Sequence, residues 1–225
     1  MFRWFIDRPL DEAVFDASSF SQNQERLLRY EVADLFSCVV VQLAKKHGWG
    51  SNKHFSVDSV LIEAWVSIKR FKPKESPKEP GPGNTWTDFK GQKRKNNTHA
   101  STTDLGAKLV RKGNGRELPL RFAGHATIEN RNGLCVLFEV TRAVGEPEAQ
   151  VAVFHAIELK NRGFTAKSIG SDKGYHSRAF VTGWRERGIA PHPAPRDGEN
   201  ALRVRCGKSY TVSRRVPKTI EEIFD

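Results

Sequence analysis

Between Tyr30 and Lys46 the apolar residues Val32, Leu35, Phe36, Val39, Val40 and Leu43 recur at three- and four-residue steps. That period predicts an amphipathic helix, which Gly48 and Gly50 terminate. The pattern then changes. Phe55 to Ile62 is an apolar run of strand length, interrupted by one acid, Asp58, and it predicts a buried strand. From Leu118 to Arg142 two apolar-rich runs meet at Asn130-Arg-Asn-Gly133, the signature of a hairpin whose glycine takes the positive φ of a tight turn. Ala149, Ala152, Val153, Ala156 and Leu159 form one face of a helix that Pro147 opens and Gly163 closes. A short strand around Ile169 follows with Asp172 at its tip, then a helix from Ser177 to Arg187 closed by Gly188, a segment near Ile189 to His192, and a last helix carrying Glu221.

Between the first strand and the hairpin the pattern is lost. Phe71 to Asn84 holds four prolines, two glycines and three lysines, too little apolar surface to order itself. We therefore expect a flexible insertion at about 69–97, inside a domain running from 54 to 225, with a helical segment at 1–53. The 225 residues suffice for a substantial core.

Charge adds direction to this outline. The formal net charge is +11, but residues 1–68 carry seven basic and nine acidic side chains, whereas residues 69–98 carry nine basic and three acidic ones. A second basic stretch, Arg196 to Thr219, holds seven basic and two acidic residues and runs into Glu221. Two positive segments on either side of a few acids suit a track for a nucleic-acid backbone, or simply a solvated basic surface. Cys38, Cys135 and Cys206 are odd in number and widely separated, which argues against a disulfide framework and a structural zinc site and fits a reducing cytoplasm. The seven histidines show no zinc-ligand spacing. No apolar stretch is long enough to span a bilayer, and the start has no signal-peptide pattern, so the expectation is a soluble cytoplasmic protein with no membrane partner.

Three acids are the candidate chemistry, and each has an ordinary alternative. Asp58 in a buried strand is costly unless it is paired or metal-bound, and a backbone or arginine partner would serve. Asp172 suits a turn residue capping its own backbone. Glu221 and Glu222 follow Thr219 in a capping-box pattern.

Taken together, the phrases Phe55-Ser-Val-Asp-Ser-Val-Leu-Ile-Glu-Ala-Trp65, Phe89-Lys-Gly-Gln-Lys-Arg-Lys-Asn-Asn-Thr-His-Ala-Ser-Thr-Thr-Asp104, Ala123-Gly-His125, Asp172-Lys-Gly-Tyr175 and Ile220-Glu-Glu-Ile-Phe224 resemble a bacterial insertion-sequence transposase. The group is the one usually numbered five, with a DDE triad on a ribonuclease H-like fold. The resemblance runs over essentially the whole chain and implies an α/β fold, a mixed sheet flanked by helices. The order strand, hairpin, helix, strand, helix, strand, helix agrees with it. It places the triad on Asp58, Asp172 and Glu221, with Glu63 and Asp104 as carboxylates outside the family pattern, and His99 and His125 inside family-like phrases.

The same resemblance implies two Mg²⁺ (or Mn²⁺) ions, Asp58 bridging both while Asp172 and Glu221 each help hold one, for cutting and joining DNA strands by in-line phosphoryl transfer. Its partner would be duplex DNA, both element ends and target, bound by Lys69, Arg70, Lys90, Lys93, Arg94 and Lys95 of the insertion and by Lys173, Arg214 and Arg215. Tyr175 would lie against a base or sugar, or in the core. A homo-oligomer, or a mixed oligomer with an intact transposase, and a nucleoid-associated location follow from the same likeness. Relatives carry Arg four residues before the Glu and Lys seven after it. Here Pro217 takes the first place and the chain ends at Asp225, so we expect a copy shortened at both ends and impaired in cleavage. A non-catalytic DNA-binding remnant and a ribonuclease H-like nuclease are the competing readings.

Overall fold

The computed structural model describes residues 16–66, 68–74, 95–111, 119–143, 147–195, 210 and 220. Its centre is β1 (His54–Glu63), which pairs antiparallel with β5 (Leu120–Glu129) on one side and parallel with β7 (Ser168–Ser171) on the other. β6 (Leu134–Arg142) pairs antiparallel with β5, and β8 (Ala190–Pro193) pairs parallel with β7. The order is therefore β6-β5-β1-β7-β8, three antiparallel strands followed by two parallel additions. The two-residue β4 (Lys108–Leu109) pairs with the start of β5, at Leu120 and Arg121, where the β6 ladder has not yet begun. This is a mixed α/β sheet flanked by helices, consistent with the ribonuclease H-like order of elements expected from the sequence.

A parallel pair needs a crossover. Helix α3 (Pro147–Asn161) links β6 to β7, and α4 (Arg178–Glu186) links β7 to β8. The predicted face of α3 packs inward: Ala152, Ala156 and Leu159 are buried with Phe55, Val57, Val136 and Ile169 of the strands and Phe180 and Trp184 of α4. The two helices approach closely at Gly183, where a Cβ would lie 2.7 Å from Val153 Cγ2. Ser177 caps α4 by accepting from the Phe180 N–H.

The hairpin turn has a second anchor besides Gly133 at φ +69°. The buried Glu129 carboxylate accepts from the Arg131 and Asn132 backbone N–H groups and from Asn132 Nδ2, satisfying the turn donors that no strand can reach.

Two expectations need correction, and the apolar side of one helix has an unforeseen direction. The predicted helix begins at Val32 rather than Tyr30, because Glu31 sits in the left-handed region (φ 49°) and separates α2 (Val32–Lys46) from a preceding helix, α1 (Ala17–Arg29). Helix α1 is polar, so no apolar stripe announced it; Asp16 starts it by accepting from the Ser18 and Ser19 N–H groups. The insertion is ordered where it leaves the domain: β2 (Phe71–Pro73) pairs with β3 (His99–Ser101), and Phe71 stacks on His99 with ring centroids 5.6 Å apart. Residues 75–94 lie outside the described residues. Finally, the apolar stripe of α2 faces away from the core. Leu35 and Phe36 are 62% and 66% exposed, while the opposite side buries Val41 and Ala44.

A buried polar layer joins α3 to the hairpin. Thr127 Oγ1 and His155 Nδ1 lie 2.8 Å apart, and His125 Nε2 lies 2.9 Å from Thr141 Oγ1. Both rings resist protonation. Burial, followed by the nearby His125 and Arg162 charges, brings His155 down from 6.5 to about 4, and burial lowers His125. The unfolded chain binds a proton on His155 at its ordinary pKa whereas the folded chain does not, so this contribution to stability is present above pH 6.5 and is lost as pH falls toward 4. At roughly 1.4 kcal/mol per pKa unit the loss is on the order of 3 kcal/mol. We expect His155→Asn to flatten the acid limb of the stability profile, read as the free energy of urea unfolding between neutral pH and pH 4. An unchanged acid limb in the variant would show that carboxylates elsewhere govern it.

Candidate functional site

Asp58 and Asp172 come from distant parts of the chain, and the strand register pairs the residues that precede them. In the parallel β1–β7 ladder Val57 is the partner of Ser171. The next residue in the chain after each is an acid, Asp58 within β1 and Asp172 just beyond the end of β7. Like charges brought together at this level of the sheet would be relieved by a cation.

Each acid also has a local partner. Asp58 Oδ1 accepts from the Ser59 N–H at 2.8 Å. Asp172 Oδ1 accepts from the Gly174 N–H at 2.9 Å and caps the 3-10 turn Lys173–Tyr175. The capping role foreseen for Asp172 is thus realised, just past the end of β7. Asp58 is half-buried and Asp172 exposed, an arrangement open to solvent on one side.

A third carboxylate arrives from α3. Glu148, in the first turn, accepts from Ser59 Oγ at 3.0 Å and lies beside Gly174, where a Cβ would be 3.9 Å from its Oε2. Sequence reasoning passed over it because an acid just after a helix start is ordinary dipole complementation. Only the β1 contact through Ser59 reveals its proximity to Asp58. Tyr175 stands among these acids. It is 2% exposed, and its hydroxyl makes no hydrogen bond within normal limits, although Ser59 is near enough to ease its ionisation slightly. Burial pushes the phenol well above its ordinary value, and the Glu148, Asp58 and Asp172 charges push it further.

Around Tyr175 the side chains offer oxygen only, the Asp58, Asp172 and Glu148 carboxylates and the Ser59 hydroxyl. Among the described residues no three His, Cys, Asp or Glu side chains converge in a way that holds a metal ion. Glu221, the expected third ligand, lies outside the described residues. Its neighbour Ile220 does not. Ile220 is buried against Ala126 and Ile128 of β5, and Ala126 is the cross-strand partner of Asp58.

The remaining candidates separate clearly. Glu63 is ion-paired with Arg121 at 2.8 Å, and Asp104 caps the Gly106 N–H; neither joins the acids. His99 and His125 are buried in packing and hydrogen-bonding roles. Lys69 and Arg70 lead into β2, and Lys95 lies on the strand-return side, with its carbonyl accepting from the Thr98 and His99 N–H groups. Lys173 is exposed next to Asp172. Lys90, Lys93, Arg94, Arg214 and Arg215 fall outside the described residues. Among the described residues no helix is long and apolar enough to cross a membrane.

No protein-family model matches the chain, and no curated protein matches it. Among solved structures it is similar to a Mos1 transposase paired-end complex with left transposon end, at 12% identity and a TM-score of 0.32 over 70% of this chain and 40% of that one. It is also similar to a pre-cleavage Mos1 transpososome, at 12% identity and a TM-score of 0.30 over 70% of this chain and 41% of that one. The chain thus spans about two fifths of the length of the solved chains it matches.

Proposed function

We propose that this protein cuts and joins DNA strands as an insertion-sequence transposase does, with Asp58, Asp172 and Glu221 as the catalytic acids. The observation that supports the reading is the register of β1 against β7, whose last pair, Val57 with Ser171, stands immediately before Asp58 and Asp172 in the chain. The seating of Ile220, the residue before Glu221, on the cross-strand partner of Asp58 supports it further. Two bound Mg²⁺ or Mn²⁺ ions would supply charge neutralisation at the attacking and leaving oxygens of an in-line phosphoryl transfer.

The chain's own residues have the rest to do. Asp58 within β1 and Asp172 just past the end of β7 would hold a divalent ion, and Glu148 would add a carboxylate from α3. The Gly174 N–H and the Ser59 N–H fix one oxygen of each aspartate, leaving the rest of each carboxylate to turn toward a ligand. Lys173 stands where a phosphate next to Asp172 would need a counter-charge. Lys69, Arg70 and Lys95, with Lys90, Lys93, Arg94, Arg214 and Arg215, neutralise the backbone of duplex DNA further out. Pro217, where the resembled family carries Arg, weakens the positioning of Glu221.

Duplex DNA binding is expected to be strong at low salt and to fall with a log-log slope of about −0.9 per phosphate contacted. Binding indifferent to salt in a fluorescence-anisotropy titration would contradict the DNA reading. Mg²⁺-dependent nicking and joining of end-containing DNA is expected to be weak, raised by Pro217→Arg, and abolished by Asp58→Asn, Asp172→Asn or Glu221→Gln. Nicking without joining identifies a nuclease instead, and binding with no metal-dependent chemistry in either background identifies a DNA-binding remnant.

The acids make a separate prediction about the protein without DNA. In EDTA, Asp172→Asn relieves the repulsion with Asp58 while its side-chain oxygen still accepts from Gly174, so the melting temperature is expected to rise by a few degrees. Mg²⁺ is expected to stabilise the wild type and to have less effect on this variant and on Glu148→Gln. Equal Mg²⁺ responses in all three proteins would remove the metal from these carboxylates.

A further inference from the structure

Helix α2 is fastened to the domain by its less apolar side. Arg162 donates through Nη1 to Ser37 Oγ at 3.1 Å and to the Val136 carbonyl at 2.9 Å, tying α2 to β6 and the end of α3. Lys45 Nζ donates to the Arg162 and Gly163 carbonyls at 3.0 and 2.8 Å and lies 4.6 Å over the Phe164 ring. Val41 and Ala44 fill the space between these anchors. The helix cannot roll about its axis without breaking them.

The strongly apolar side is thereby held outward. Val32, Leu35, Phe36, Val39, Val40 and Leu43 follow the i, i+3, i+4, i+7, i+8, i+11 spacing of a single stripe, and Val39 and Leu43 are 53% and 51% exposed. Exposed Tyr30 and Trp49 adjoin its two ends in the chain. A large aromatic side chain offers roughly 150–250 Å². At these exposures the stripe and its flanks reach several hundred Å², the scale of the roughly 800 Å² per partner in a stable protein–protein interface. A contiguous patch of that size on a folded surface marks an association site.

We infer that this stripe is a self-association surface, covered by α2 of a second copy of the chain packed antiparallel across a two-fold axis. The charges at its ends choose the partner and the direction. Exposed Glu31 precedes the stripe and exposed Lys46 follows it, so antiparallel pairing sets Glu31 of each copy beside Lys46 of the other. Parallel pairing would set like charges together. An isologous contact of this kind closes after two copies. The surface is separate from the acids, so this inference stands or falls independently of the catalytic reading.

The test is sedimentation velocity of the full chain over a wide concentration range. The wild type is expected to sediment at twice its 25.4 kDa mass. Leu35→Glu with Phe36→Glu is expected to halve the mass while circular dichroism and melting stay those of a folded domain, since both residues are exposed. Lys46→Glu is expected to weaken the dimer, and Glu31→Lys added to Lys46→Glu to restore it. A wild-type monomer at every concentration overturns the inference, as does a dimer indifferent to the stripe variants. A monomer that dimerises only after removal of residues 1–15 overturns it too, and assigns the stripe to the chain's own N-terminal segment.

Discussion

The parallel pairing of β1 with β7 is the constraint on which the rest depends. A parallel ladder cannot be closed by a tight turn, so the chain between its strands must travel, and here it builds the hairpin and α3 on the way. The same pairing decides where the two acids fall. A slip of one residue would turn a whole strand over and separate Asp58 from Asp172. Phe55, Val57 and Ile169, all buried beneath α3 and α4, resist that slip, because each would exchange a packed site for the opposite face. Core packing and the placement of two negative charges are thus one and the same fact.

Much of this was legible in the sequence because it rests on period and turn chemistry. The β5–β6 hairpin could be placed from Asn130 to Gly133, α3 from its alanine and leucine face, and β7 from the short apolar run before Asp172. Topology was readable only through the order of elements. What escaped notice depends on contacts between distant segments. Glu148 is an unremarkable helix-start acid until Ser59 of β1 is known to donate to it. Helix α1 has no apolar stripe, and β2 is hidden in a proline-rich stretch whose pairing partner stands beyond twenty undescribed residues.

The outward stripe of α2 shows the limit of reading burial from amphipathicity. Periodicity identifies which side of a helix is apolar, and it leaves open whether the fold or a partner covers that side. Here the deciding interactions are polar and long-range: Arg162 to Ser37, and Lys45 to the carbonyls at the end of α3. No local pattern around residues 30–46 encodes them.

The β2–β3 ladder has a consequence for how this domain tolerates change. Three residue pairs clasp the chain where it departs at Phe71 and where it returns at Ser101, so the two ends are already held together whatever lies between them. For a segment tethered in this way the entropic cost of added length grows only logarithmically, about 0.6 kcal/mol for each doubling. The clasp, with Asn96 bonded to the Leu109 backbone, therefore fixes where the chain leaves and re-enters the domain, so that added length between these points costs β1 and the acid it carries little.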